Sequence, residues 1–156
     1  MSVPDAMRFF EALVTRMESA VAIDAWLLGL GDEGVLLAER LAARLPGRNL
    51  YAALDLDALA QGKLQTIPEA AFSAMISENE TIVLVDAMLW RGETIVQVIS
   101  LLRQHGVHAP IELAMLADRG GCFVPIAPTY CGGDIIVAED TVLRLVAEGD
   151  VLQFEA

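Results

Sequence analysis

The residues best suited to chemistry stand together in one short run that follows an apolar segment. They are two acids, an aromatic ring, a guanidinium group, a glycine and a hydroxyl: Asp86, Trp90, Arg91, Gly92, Glu93 and Thr94. Where a helix begins, its first backbone N–H groups and a nearby hydroxyl can hold an anion such as a phosphate group. A carboxylate beside them can accept hydrogen bonds from sugar hydroxyls. This run is therefore the first candidate for a ligand site.

Most of these residues also have ordinary structural explanations. Asp86 is either a ligand-facing acid or a capping or solvated acid at the end of a strand. Arg91 either holds a phosphate through two hydrogen bonds or is an exposed arginine without a ligand. Glu93 needs no ligand, because the helix dipole favours an acid in a first turn. Trp90 lies in a loop, where it could stack on a ligand ring, whereas Trp26 starts a strand and belongs to the core.

Two further segments carry polar groups where loops are expected. Residues 31–34 are Gly31, Asp32, Glu33 and Gly34. Residues 118–125 begin with Asp118, Arg119 and Gly120, which form either a turn with a local ion pair, the reading we prefer, or a base-recognition segment. The cysteines, Cys122 and Cys131, are too few for a disulfide framework or a four-ligand zinc site. No cluster of His, Cys and acids in the sequence indicates a metal site or a nucleophilic triad.

The apolar pattern that must position these residues alternates between helical and strand spacing, without repeats or a linker. It predicts helices over residues 4–19 and 35–45, a third from Ile95 up to His105 and Gly106, and a weaker one over 68–76. It predicts strands over residues 25–30, 49–54, 81–85 and 111–117, and a polar, mobile loop over 55–66. Such alternation is typical of one α/β domain, here residues 1–156, with a mostly parallel sheet and helices on both faces.

In sheets of this kind, ligands bind at the carboxyl ends of the strands. Three connections follow predicted strands at that edge: residues 31–34, 86–94 and 118–125. The sequence therefore predicts that these three loops converge on one site.

Residues 83–94 resemble the ribose-phosphate loop of the type I phosphoribosyltransferases, in which an apolar strand, two acids and a T-G-x-T sequence precede a helix. Residues 28–42 are similar to the diphosphate loop of that family and its following helix. Residues 118–132, within a hood-like segment 118–135, are similar to its base-side segment. The order of these motifs resembles the PyrR type of the family over residues 26–146. The resemblance implies a type I phosphoribosyltransferase fold, which is Rossmann-like.

The sequence departs from the family pattern where the chemistry would occur. Ala87 stands in place of the second acid, Arg91 in place of a threonine, and Glu93 in place of a basic residue. Residues 31–33 read Gly-Asp-Glu where the PyrR type has a basic triplet. Unit charges about 4 Å apart interact by about 4 kcal/mol at an effective dielectric constant near 20, so this reversal predicts a loss of several kcal/mol in diphosphate binding.

The composition bears on binding partners, self-association and cellular location. The net charge of −12 repels nucleic-acid backbones and anionic membrane surfaces. The apolar content of 55% exceeds what one small core absorbs, which predicts a homodimer or a higher homo-oligomer. No apolar run approaches the roughly 20 residues of a membrane span, and Asp5 stands where a secretory peptide would be basic. These features predict a cytoplasmic protein.

Three functions remain open from the sequence. The first is a PyrR-like regulatory protein that binds a nucleotide or phosphorylated metabolite and no longer catalyses transfer. The second, which the resemblance implies in its simplest form, is an active enzyme that makes uridine monophosphate from uracil and phosphoribosyl diphosphate. That enzyme would use Asp86 and Mg²⁺, with Asp32 or Glu33 bridged by the metal to the diphosphate. The third is an RNA-binding regulator of the PyrR type, which the negative charge disfavours.

Overall fold

A parallel sheet of five strands forms the centre of the protein. Its strands are β1 (Trp26–Leu30), β2 (Leu50–Leu54), β3 (Ile82–Leu89), β4 (Ile111–Asp118) and β5 (Tyr130–Cys131). The computed structural model describes residues 3–47, 49–63 and 67–156. The strands lie in the order β2-β1-β3-β4-β5, and each neighbouring pair is parallel. The predicted α/β class with a parallel sheet is confirmed.

Helices cover both faces of this sheet. They are α1 (Ala6–Glu18), α2 (Gly31–Arg44), α3 (Leu56–Ala60), α4 (Glu69–Ser77) and α5 (Glu93–Gln104). One apolar cluster packs α1 and α2 on one face, and a second packs α3, α4 and α5 on the other. Because both faces are covered, all five residues of β1 are buried, as expected for a central parallel strand.

A small antiparallel hairpin closes the α1 and α2 side of the core. It consists of β6 (Arg144–Glu148) and β7 (Val151–Glu155). Phe154 of β7 meets the ring of Phe9 in α1 edge to face, at 6.2 Å between ring centroids. Arg40 of α2 donates to the carbonyl of Gly149 in the hairpin turn at 2.8 Å. The sequence patterns did not predict this hairpin.

Three predicted boundaries are wrong. Residues 31–34 are the first turn of α2 and not a loop, because the helix starts directly after Leu30. Strand β3 does not end at Asp86 but continues to Leu89. The polar segment 55–66 contains α3, whose N-terminus is capped by Asp55 and whose Leu59 is buried. Residues 64–66 of that segment lie outside the described residues.

The chain changes direction across the sheet at one point. From β1 it runs through α2 to β2 on one side, and from β3 it runs through α5 to β4 on the other. The carboxyl ends of β1 and β3, which are adjacent strands, therefore form the crevice where ligands of such sheets bind. Within the described residues, no helix is both long enough and apolar enough to cross a membrane.

Candidate functional site

The start of α5 forms one wall of the candidate site. Gly92 is the N-cap residue and has a φ of 85°, in the left-handed region that favours glycine. A side chain here would also collide with the hood-like segment, since a Cβ atom would lie 2.7 Å from both Cys122 Sγ and Val124 Cγ2. Gly92 is thus required by the backbone turn and by packing. The exposed Thr94 follows in the first helical turn.

A cavity of about 250 Å³ lies between this helix start and the end of β3. Its lining contains all six residues of the predicted run together with four others: Asp86, Met88, Leu89, Trp90, Arg91, Gly92, Glu93, Thr94, Ile95 and Met115. First-turn N–H groups and the helix dipole favour an anion at such a place. The run predicted from the sequence is therefore brought together around one cavity.

Asp86 is the half-buried acid of this cavity, and Glu93 is its exposed acid. Protein atoms surround the Asp86 carboxyl, and its Oδ1 accepts a hydrogen bond from the N–H of Ala87 at 2.8 Å. Burial raises the Asp86 pKa to about 7, the bond from Ala87 opposes this rise, and the neighbouring Glu33 carboxylate adds to it. Asp86 therefore changes charge near neutral pH and can donate as well as accept a hydrogen bond there.

The raised pKa of Asp86 sets the pH dependence of stability. An acid whose pKa is 3.8 when unfolded and about 7 when folded binds more protons in the folded state between these values. The free energy of unfolding therefore falls as pH rises from about 4 through 7. At about 1.4 kcal/mol per pKa unit, Asp86→Asn is expected to stabilise the protein by about 2–4 kcal/mol at pH 8.5 and by little at pH 4.

Urea denaturation of both proteins across this pH range measures the difference. Asn keeps the oxygen that accepts from Ala87, so the comparison isolates the charge. Asp32→Asn is the matched control, because it removes an exposed acid from the neighbouring helix. An Asp86→Asn effect that is the same at pH 4 and pH 8.5 would contradict the assignment.

Ala87, the residue in place of the second family acid, points away from the cavity. Its side chain is 1% exposed and belongs to the apolar cluster that α1 and α2 cover. Asp86 lines the cavity and Ala87 does not, in agreement with the alternation of successive residues between the two faces of a sheet. The cavity consequently contains one strand acid, Asp86, among the described residues.

The first turn of α2 lies against β1 and β3 because two residues lack side chains. A Cβ atom on Gly34 would lie 2.5 Å from the carbonyl oxygen of Val85, and one on Gly29 would lie 2.7 Å from the backbone nitrogen of Val35. Asp32 and Glu33 occupy this turn, where the helix dipole favours acids. The segment expected to bind a diphosphate is therefore a closely packed helix start with two carboxylates.

Glu33 is bonded inside the protein. Its Oε1 accepts from the N–H of Leu145 in β6 at 3.1 Å, and burial raises its pKa. Asp32 is exposed beside it. Within the described residues, no three His, Cys, Asp or Glu side chains come together as a metal site. Glu33 therefore uses one of its two carboxylate oxygens to hold the hairpin.

A second cavity of about 530 Å³ opens at the ends of β1 and β2. Three of its lining residues are acids, namely Asp32, Asp55 and Asp57. Asp55 accepts hydrogen bonds from the N–H groups of Asp57 and Ala58 as the cap of α3. An acid-lined space repels a diphosphate. The cavity at α5 also has two acids in its lining, Asp86 and Glu93, but it combines them with a helix start and Arg91.

Two guanidinium groups lie over the ring of Trp90. The Cζ atom of Arg91 is 4.7 Å from the ring centroid and that of Arg119 is 4.2 Å from it. Arg91 also lies 5.2 Å from the centroid of the Phe123 ring. These cation–π contacts join the phosphate-side run to the hood-like segment. Arg91 and Trp90 are thus engaged with each other and with side chains of residues 118–135.

Residues Asp118, Arg119 and Gly120 form the expected turn, but without the expected ion pair. Asp118 Oδ1 accepts from the N–H of Gly120 at 2.8 Å. The Arg119 guanidinium donates instead to the carbonyls of Thr141 and Ala138, both at 2.9 Å. The Asp118 carboxylate thus stabilises the turn. The Arg119 guanidinium attaches the turn to residues 138–141, which precede β6.

Comparison with known proteins identifies the family of this chain. No family model matches the chain. The Bifunctional protein PyrR of Ralstonia nicotianae is 36% identical over 153 residues, which cover 94% of this chain and 88% of that relative. The Bifunctional protein PyrR of Trichormus variabilis is 35% identical over 127 residues, covering 76% and 70%. The chain belongs to the PyrR family.

Solved structures agree with the fold of this PyrR-family chain. A hypoxanthine phosphoribosyltransferase from Staphylococcus aureus superposes with a TM-score of 0.67 at 16% identity, covering 91% of this chain and 80% of that one. A purine phosphoribosyltransferase from Pyrococcus horikoshii gives 0.60 at 19% identity, covering 92% and 93%. At these identities the likeness establishes the fold alone. The predicted resemblance to PyrR and to the phosphoribosyltransferase fold is confirmed.

Several residues of the candidate site were not identified from the sequence. Met88 and Met115 line the cavity, and they gave no signal because methionine is typical of any core. The stacking of Trp90 with Arg119 joins residues that are far apart in the chain. The bond from Leu145 to Glu33 spans 112 residues. Such contacts have no local pattern that a sequence could display.

Proposed function

We propose that this PyrR-family chain binds a nucleotide or another phosphorylated metabolite at the start of α5 in a regulatory role, without transferring phosphoribosyl groups. The first turn of α2 supports the proposal most strongly. There, Asp32 and Glu33 stand where a diphosphate would have to bind, and Glu33 is bonded to the hairpin. A transferase must stabilise the charge that develops on its departing diphosphate, and carboxylates oppose this.

The cavity at α5 supports the binding part of the proposal. It combines the Thr94 hydroxyl, first-turn N–H groups and the Arg91 side chain around a space of about 250 Å³. Asp86 lies at its inner end, where it can accept from a sugar hydroxyl or, when protonated, donate to one. These groups suit a monophosphate ester with a hydroxylated body.

Two alternatives remain as competing functions. Asp86, Gly92 and Thr94 favour an active uracil phosphoribosyltransferase, which would need Mg²⁺. RNA binding is disfavoured because Lys and Arg total ten in a chain of net charge −12. Moreover, five arginines donate hydrogen bonds within the chain: Arg16, Arg40, Arg44, Arg103 and Arg119.

The proposal includes a cytoplasmic homo-oligomer. Among the residues that the structure describes, four large apolar ones are more than three-fifths exposed in the single chain: Ile136 at 92%, Phe123 at 68%, Val142 at 65% and Ile23 at 64%. Exposed apolar area of this kind supports association between copies of the chain. Light scattering at tens of micromolar distinguishes a dimer or larger assembly from a monomer.

Thermal melting with different ligands tests the proposed binding. Uridine monophosphate or ribose 5-phosphate is expected to raise the melting temperature more than phosphoribosyl diphosphate does, because Asp32 and Glu33 repel a diphosphate more strongly than a single phosphate group at α5. A ligand at 100 times its dissociation constant adds about 2.7 kcal/mol, or roughly 5–10 °C for a domain of this size. Thr94→Ala and Arg91→Ala are expected to reduce the monophosphate shift.

Ser100→Ala, an exposed change later in α5, is the matched control and should leave the shift unchanged. The proposal is wrong if phosphoribosyl diphosphate gives the larger shift. It is also wrong if Thr94→Ala and Arg91→Ala behave like the control.

A further inference from the structure

Arg119 of the hood-like segment contacts the wall of the cavity at α5 in two ways. Its main-chain N–H donates to the carbonyl of Leu89 at 3.0 Å. Its guanidinium lies over the ring of Trp90, with Cζ 4.2 Å from the ring centroid. Leu89 and Trp90 both line the cavity, whereas Arg119 does not. Arg119 therefore supports two wall residues without lining the cavity itself.

The same guanidinium holds a turn in the chain between the hood-like segment and β6. The turn runs from Ala138 to Thr141, and the N–H of Thr141 donates to the carbonyl of Ala138 at 3.0 Å. Arg119 donates through Nη2 to the carbonyl of Ala138 and through Nη1 to that of Thr141, both at 2.9 Å. One side chain thus binds both ends of the turn.

These two bonds are the polar attachment of the segment that contains the turn. Residues 136–143 lie outside the helices and strands. Among the described residues, no other hydrogen bond joins this segment to the rest of the chain. Its apolar attachment comes from Val137 and Leu143, which pack against the core. The position of the turn on the protein therefore depends on Arg119.

We propose that Arg119 is a positioning residue of the ligand site, which couples occupancy of the cavity at α5 to closure of the 138–141 turn. The inference rests on the proposed function and gives its regulatory role a route from the ligand to the protein surface. Ile136 and Val142, whose side chains are exposed, flank the turn. The route therefore ends at an exposed apolar part of the chain.

The coupling follows from the two contacts that one guanidinium makes. A ligand in the cavity restricts the Trp90 ring in the wall, and the restricted ring holds the guanidinium stacked on it. The turn then opens less often, because both of its ends are bonded to that guanidinium. Coupling between two equilibria is reciprocal, so releasing the turn from Arg119 must weaken ligand binding.

Exchange of the Thr141 amide hydrogen, followed by NMR, tests the inference, because this N–H is bonded only while the turn is closed. Ribose 5-phosphate and uridine monophosphate are the ligands tested. In the natural protein, whichever of them binds is expected to slow the exchange at least threefold at saturation. Arg119→Met, which keeps a long side chain without a donor, is expected to weaken ligand binding at least threefold and to abolish the slowing.

Arg103→Met is the matched control. Arg103 is also half-buried and also donates to two carbonyls, those of Val107 and Ala109, but it lies in the last turn of α5, at the end away from the cavity. This variant should bind the ligand as the natural protein does and keep the threefold slowing. Arg119→Lys, which keeps the charge and loses the planar fork, is expected to act in the same direction if Arg119→Met does not fold.

The possible outcomes separate this inference from the proposed function. A ligand that binds the natural protein without slowing Thr141 exchange overturns the inference and leaves the proposed function intact. The same holds if the Arg119 variants bind the ligand and respond to it as Arg103→Met does. Binding of neither ligand to the natural protein overturns the proposed function and the inference together.

Discussion

Ala87→Asp, which would supply the missing family acid, is expected to lower the free energy of unfolding by about 3–5 kcal/mol at pH 8 instead of restoring transfer. Ala87 is 1% exposed and faces the apolar cluster under α1 and α2. A carboxylate there has no partner and loses its hydration, which is among the most costly changes in a core. Urea denaturation at pH 8 and at pH 5 measures the effect.

The loss should be smaller at pH 5, where a buried carboxyl at this position takes up a proton and becomes neutral. Ala87→Ser is the control, since it adds a small polar group without a charge and is expected to cost about 1–2 kcal/mol. If Ala87→Asp retained the stability of the natural protein, the side chain of residue 87 would have to face water or the ligand cavity. The assignment of Ala87 to the core would then be incorrect.

Gly34→Ala is expected to destabilise the protein by about 3 kcal/mol, although alanine is the better helix former. A Cβ atom at this position would lie 2.5 Å from the carbonyl oxygen of Val85 and 3.3 Å from the carbonyl carbon of Gly29. Both are backbone atoms, so α2 would have to move away from β1 and β3 to accept it. The gain from helix propensity, about 1 kcal/mol, is smaller than this cost.

Ala43→Gly is the matched control because it is the reverse exchange at an exposed position of the same helix. It should cost about 1 kcal/mol through propensity alone. Gly34→Ala should also shift the pKa of Asp86, since Gly34 packs beside the Asp86 Cα atom at 3.5 Å from the site of its absent Cβ. A Gly34→Ala variant more stable than the natural protein would show that the helix start is not closely packed.

The fold could be predicted from the sequence because its signals are local. Residues 81–85 are apolar after Thr81, and residues 111–117 are apolar except for Glu112. Runs of this kind indicate strands buried on both faces, and both ranges lie in interior strands of the sheet. The apolar spacing of Ile95, Val98 and Leu102 likewise predicted α5, and all three are buried. The order of these elements is sufficient to indicate a parallel sheet with helices on both faces.

The site could be predicted only in part. The run from Asp86 to Thr94 surrounds one cavity, since a strand followed directly by a helix brings its polar residues to one sheet edge. Residues 31–34 looked like a loop because two glycines usually mark a turn. In the structure Gly34 instead permits close packing against Val85, which is a contact between distant parts of the chain.

Contacts between distant parts of the chain also explain why the end of β3 and the hairpin were not predicted. Strand β3 continues past Asp86 because β4 extends beside it, pairing Met88 with Ala117 and Leu89 with Asp118. The hairpin is positioned by Glu33 and Arg40 of α2, neither of which is near it in sequence. Sequence reasoning assigned Glu33 to a ligand loop because its partner in β6 could not be identified.

A transferase assay tests the central claim that this PyrR-family chain binds phosphorylated ligands without transferring phosphoribosyl groups. The purified protein is incubated with uracil, phosphoribosyl diphosphate and Mg²⁺, and the formation of uridine monophosphate is followed. We expect no product above the background without protein, because Asp32 and Glu33 oppose the departing diphosphate and Ala87 supplies no second acid. Turnover on the order of 1 per second, which is ordinary for an enzyme, would contradict the account.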